Sequence, residues 1–163
     1  MRGALAALLL VMATASGTAH AHDPFVTEGV SGWTAAERKS GHDQLLTMVR
    51  IRQLAAINAG LTELARHDDA TCRWTNQIIG PETLARQVSS FDANPAIKGV
   101  IEAERMTVRD YLLTIQAVSE TAITVHAAEH RMPVSVAASA SNVSFYRQHR
   151  AEIEQLLDAP DPC

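Results

Sequence analysis

The stretch that decides the fold is TVRDYLLTIQAVSETAITVHAAEH, residues 107–130. It holds neither glycine nor proline, and none follows until Pro133. Thr107 stands before Val108-Arg109-Asp110, a hydroxyl ahead of an acid in the first turn, which is how a helix commonly starts. At 100° per residue, Tyr111, Ile115, Val118, Ala122 and Val125 fall on one apolar arc, with Leu112, Ser119, His126 and His130 extending it on one side. The segment therefore reads as the longest helix of the chain, running to about His130. The same arc places both imidazoles inward or at the core edge and Glu129 near its middle, where a carboxylate needs a partner.

Working outward, the flanking segments carry helix signals of the same kind. Ser141-Asn142 reads as a cap for a helix ending near Leu157, with Phe145, His149, Ile153 and Leu156 along one side. Asn94-Pro95 opens a short helix bearing Ile97 and Ile101, and Gly80-Pro81-Glu82 opens one bearing Leu84, Val88 and Phe91. Thr34-Ala35-Ala36-Glu37 has the spacing of a capping box. A helix-rich region follows to about His67, with Ser40-Gly41 and Gly60 as candidate interruptions. Its apolar residues mark two faces, Leu45, Met48, Val49 and Ala56 against Leu54, Ile57, Leu61 and Leu64. No strand-like alternation or internal repeat competes. Short linkers between amphipathic helices imply antiparallel neighbours, so the expected fold is all-α, a single-domain four- or five-helix bundle over residues 34–158.

The amino-terminal residues predict export. Met1-Arg2, an apolar run from Ala4 to Ala13 and Ala19-His20-Ala21 have the layout of a secretory signal peptide cleaved near Ala21. The apolar run is about half the roughly 20 residues a membrane-spanning helix needs, so no membrane insertion is expected. Residues 22–33, broken by Pro24, Gly29 and Gly32, read as a flexible lead-in, and residues 159–163 as a tail. Removing residues 1–21 from the 163 leaves 142, enough for one hydrophobic core. Loss of Arg2 takes the 14 basic residues to 13 against 18 acids, a formal charge of −5. An acidic chain with few aromatics argues against nucleic-acid partners, which demand a basic stripe. A periplasmic or secreted location would be oxidising, so Cys72 and Cys163 can pair in one way within a chain. That bridge would stabilise the fold by roughly 4 to 5 kcal/mol; the alternative is that Cys163 cross-links two chains.

Asn94-Pro95, Met106-Thr107-Val108-Arg109-Asp110-Tyr111-Leu112 and Ser141-Asn142-Val143-Ser144-Phe145 together resemble small secreted helical proteins of Gram-negative bacteria, a family of unknown function. The resemblance covers Phe91 to Leu157, and Arg105 stands where a small residue or glycine is expected before the Met-Thr pair. It implies an exported helical domain and supplies no activity, catalytic residue or cofactor.

The one chemical motif is His126-Ala127-Ala128-Glu129-His130, whose letters match the H-x-x-E-H of inverted zinc peptidases, where two histidines four apart bind zinc and the glutamate acts on its water. Those enzymes resemble large α/β proteins, whereas 33 residues follow His130 here and no sheet edge is available for a peptide. His149, between Phe145 and Ile153, is positioned to join His126 and His130 in a zinc or copper site. A second metal candidate is His22, whose imidazole and α-amine would chelate copper after cleavage at Ala21. C-x-x-C-H, C-x-x-C and a glycine-rich phosphate loop are all missing from the sequence. Noncovalent haem held by a histidine and Met106 or Met132 is the remaining cofactor option. The leading expectation is a non-enzymatic module that binds a protein or small ligand in a groove between helices, without a cofactor. A metal-binding protein using His126, His130, Glu129 and His149 comes second, and a zinc hydrolase third.

Overall fold

The computed structural model describes residues 32–67, 82–134 and 137–158. The signal-peptide reading, His22, Cys72, Cys163 and the 159–163 tail lie outside them. The described residues form six helices and no strand: α1 (Ala35–His42), α2 (Met48–His67), α3 (Leu84–Asp92), α4 (Pro95–Ala103), α5 (Val108–His130) and α6 (Ala140–Leu157). The fold is all-α, as the periodicity implies. One helix more than expected arises because Asp43–Thr47 divides the Thr34–His67 region, while Gly60 does not. A Cβ at Gly60 would meet Val100 Cγ1 at 2.7 Å, so the glycine lets α2 and α4 approach closely instead of breaking the helix.

Each start has a local cause. Thr34 and Glu37 exchange both bonds of the capping box, Asn94 caps α4 with Pro95 at its first position, and Thr107 caps α5. Two caps differ from the expectation. Thr83 caps α3, so the helix begins at Leu84 and not at Pro81, which lies outside the described residues, and Ser139 caps α6 in place of Ser141-Asn142. Asn142 lies within the first turn of α6, 2% exposed, because its side-chain amide bonds to distant backbone. Its Oδ1 accepts from the Leu46 amide at 3.0 Å and its Nδ2 donates to the Gln44 carbonyl at 2.9 Å. These bonds pin the α1–α2 corner to α6.

Two turns use left-handed residues without glycine, Arg105 at φ 56° and Arg131 at φ 55°. In the α4–α5 turn Arg105 adopts a positive φ, a conformation that glycine takes without steric cost.

Helix α5 is the hub and packs against all five others; α2 also meets α4 and α6, and α3 meets α4. Ile51, Ile57, Leu84, Ile97, Ile101 and Ile153 are almost fully buried around it. Because neighbours surround α5, its buried set is wider than one arc. Tyr111 to Thr121 is buried at every position except Ile115, including Thr114, Gln116, Ser119 and Glu120. The threonines remain helical because their hydroxyls bond backward, Thr114 to the Asp110 carbonyl at 2.7 Å and Thr121 to that of Ala117 at 2.6 Å.

Candidate functional site

The histidine-rich end of α5 differs from the sequence expectation. His126, Glu129 and His130 are all exposed, while Val125 and Ala127 carry the buried face of the last turns. The inward placement of the imidazoles and of Glu129 is therefore corrected. The last turns are covered on the side of Val125 and Ala127, and His126, Glu129 and His130 lie on the side left open. Glu129 does have the partner its charge requires, on the rim: Arg150 Nη1 of α6 donates to its Oε1 at 2.6 Å, and Arg150 Nε donates to Glu154 Oε1 at 2.6 Å. The Glu154 bond and the two carboxylate charges hold the Arg150 guanidinium's pKa above its ordinary value.

His126 and His130 face each other one turn apart, with ring centroids 4.3 Å apart and planes at 47°. His149 is half-buried and lies against Phe145 of its own helix, centroids 4.8 Å apart. Among the described residues no group of three or more His, Cys, Asp or Glu is placed to hold a metal ion. Thus His126 and His130 come together, while Glu129 is engaged by Arg150 and His149 by Phe145.

A second polar cluster, which the sequence reading missed, lies between α1 and the middle of α5. Helix α1 brings one buried residue to the interface, Gly41, and a Cβ there would meet Gln116 Cγ at 3.0 Å and Trp33 Cζ3 at 3.5 Å. The bare backbone thus rests on the Gln116 stem. Gln116 Nε2 donates to Glu120 Oε1 at 2.5 Å, and Glu120 Oε2 lies 3.9 Å from His42 Nδ1. That ring nitrogen is buried and has no hydrogen-bond partner among the described residues. Burial pushes the Glu120 carboxyl's pKa up, against smaller opposing effects from the Gln116 bond and the His42 charge. Beside the cluster, Trp33 is 3% exposed and its Nε1 donates to Gln87 Oε1 of α3 at 3.0 Å.

Glu37 ties the same corner together. Its carboxylate accepts from the Thr34 amide at 2.7 Å and from the Ala85 amide of α3 at 3.2 Å. Burial pushes this carboxyl up, but the Thr34, Ala85 and Leu84 hydrogen bonds outweigh it and leave the pKa lowered. The signal that could have exposed the cluster is the pair Gln116 and Glu120, the two long polar side chains, four apart, between Tyr111 and Thr121. It becomes legible only once α1 is known to cover that side.

No helix among the described residues is long and apolar enough to cross a membrane. Comparison of the chain with known protein families, with curated proteins and with solved structures finds no match.

Proposed function

We propose that this chain is an exported helical module that acts by binding a partner protein, without turning over a substrate, and that the partner meets it at the α1–α2 corner. The observation that supports this reading is the pair Leu45 and Val49, 61% and 66% exposed, the two large hydrophobic side chains left exposed among the described residues. They are four residues apart where the chain enters α2. The corner is pre-organised, because Asn142 grips the backbone on either side of Leu45 while Leu46 is buried beneath it. A contact already held in its bound shape loses less ordering entropy on association. The partner's matching surface is apolar at its centre and neutral or basic around it, since the chain without its leader carries a formal charge of −5, 13 basic residues against 18 acids. Export rests on the leader-like Met1-Arg2, the Ala4–Ala13 run and Ala19-His20-Ala21.

The test places a photo-crosslinking residue at position 45, 49 or, as control, exposed Ser144, in cells that export the protein. One discrete adduct from positions 45 and 49, absent from 144 and abolished when the other corner residue becomes aspartate, is the expected result. Adducts from all three positions alike, or none, would overturn the reading. Amino-terminal sequencing of the exported protein should begin at His22.

A further inference from the structure

We propose that His126 and His130 form a two-imidazole clasp for a divalent transition cation, copper(II) or zinc, at the carboxyl end of α5. The inference is independent of the partner reading, since it concerns a different helix end. Three observations converge on it. The rings are one turn apart on the same side of the helix with centroids at 4.3 Å, close enough for small rotations of exposed side chains to aim one nitrogen of each at a shared point. Neither ring makes a hydrogen bond or ion pair with any described residue, so no existing bond has to break. The clasp closes on the last turn through His130, where unpaired carbonyls make the helix end negative and a bound cation is favoured.

The ligand chemistry follows from who is already engaged. Imidazole is a borderline ligand suited to zinc and copper. Glu129, the residue an H-x-x-E-H hydrolase would turn on its water, is held by Arg150, and His149 lies against Phe145. The set is therefore two protein nitrogens with the remaining positions left to water or a second molecule. An open set of this kind suits a cation that exchanges, in contrast to the closed four-ligand set of structural zinc.

The experiment titrates copper(II) and zinc, each alone, into metal-free full-length exported protein without a histidine tag, by calorimetry, with electron paramagnetic resonance on the copper samples. One cation per chain at this site, with two imidazole nitrogens in the copper spectrum, is expected. His126→Ala or His130→Ala should weaken zinc binding at least about tenfold, by comparison with the roughly 10–100-fold that losing even an outer-shell partner costs. The double variant should remove it, while His149→Ala and Glu129→Gln leave it unchanged. All three residues of the H-x-x-E-H set are exposed, so these variants should keep the parent's circular dichroism. Zinc binding that survives in the double variant, a parent that binds neither cation, or equal loss in His149→Ala would overturn the proposal.

Discussion

The middle and the end of α5 contain similar polar side chains and treat them in opposite ways. Between Tyr111 and Thr121 the helix is enclosed, and Thr114, Gln116, Glu120 and Thr121 are buried with it. Between Ala128 and His130 every residue is exposed. Helical period alone cannot make this distinction, because it describes one helix and burial is decided by neighbours. The enclosed polar groups meet the need for partners within a turn of themselves: the threonines bond backward to carbonyls, and Glu120 takes Gln116 from its own helix. Of the exposed ones, Glu129 reaches across to Arg150 on α6, and the two histidines lie against each other with no hydrogen bond to another described residue. Buried polarity here is solved locally, and exposed polarity is what remains free for chemistry.

The contrast breaks most decisively in stability measurements. Leu113→Ala in the enclosed part, or Ile153→Ala in the same core from α6, should cost about 2 to 5 kcal/mol, since each empties a packed site. His126→Ala should fall within about 0.5 kcal/mol of the parent. Urea unfolding monitored by circular dichroism reads both; comparable losses would mean that the end of α5 is packed after all.

A smaller effect is expected at Gly41. The 3.0 Å approach to Gln116 Cγ requires Gln116 to move if a Cβ is added, and Gln116 is fixed by its 2.5 Å bond to Glu120. Gly41→Ala should therefore destabilise by about 1 kcal/mol, overpacking outweighing the gain in helix propensity. A stabilised variant in the same unfolding experiment would show that α1 is not tightly seated on α5.

Next comes pH dependence, in which two carboxylates at the α1 interface have opposite signs. Glu120 has a folded-state pKa raised by burial, so its contribution is fully present below the unfolded value, about 4.3, and is lost as pH rises through the folded one. Glu120→Gln keeps an acceptor for Gln116 and removes that loss. It should be more stable than the parent at neutral pH, with the gain disappearing in acid. Among the described residues, the side chains that bear on Glu120 are Gln116 of its own helix and His42 of α1, whose Nδ1 lies 3.9 Å from Oε2. Glu37 has a lowered pKa, so its contribution is present above the unfolded value and lost as pH falls through the folded one. Glu37→Gln should lose stability at neutral pH. Melting temperature against pH for the two variants checks both signs, and parallel curves would contradict the burial of Glu120.

Helix type and most helix starts were legible because their causes are local: Thr34 with Glu37, Asn94 with Pro95, and Thr107 are decided within four residues. What could not be read depended on distant chain. Asn142 resembles a cap in sequence, yet it serves Gln44 and Leu46 nearly a hundred residues away. Arg105 and Arg131 take left-handed turns that a glycine would have announced. The buried carboxylate was sought at Glu129 and is found at Glu120, because α1 covers one side of α5 in its middle while Glu129 lies on the open side of the last turn. The His126–His130 pairing was legible, being a matter of spacing within one helix; the separation of His149 and Glu129 from it was not.

The smallest expected effect tests the rim of the same comparison. Arg150 joins Glu129 on α5 to Glu154 on α6, with side chains between 32% and 43% exposed. Pairs this open are screened by water and salt and are worth below about 1 kcal/mol. A double-mutant cycle on Glu129→Ala and Arg150→Ala should return a coupling energy in that range, shrinking as salt is added. The value matters less than its independence from the histidines. If Glu129 serves the rim alone, breaking its pair lowers the melting temperature slightly and leaves zinc affinity at His126 and His130 where it was. A tighter zinc site in Arg150→Ala would instead show that Glu129, once released, joins the imidazoles, and the end of α5 would then be a three-ligand site that Arg150 holds apart.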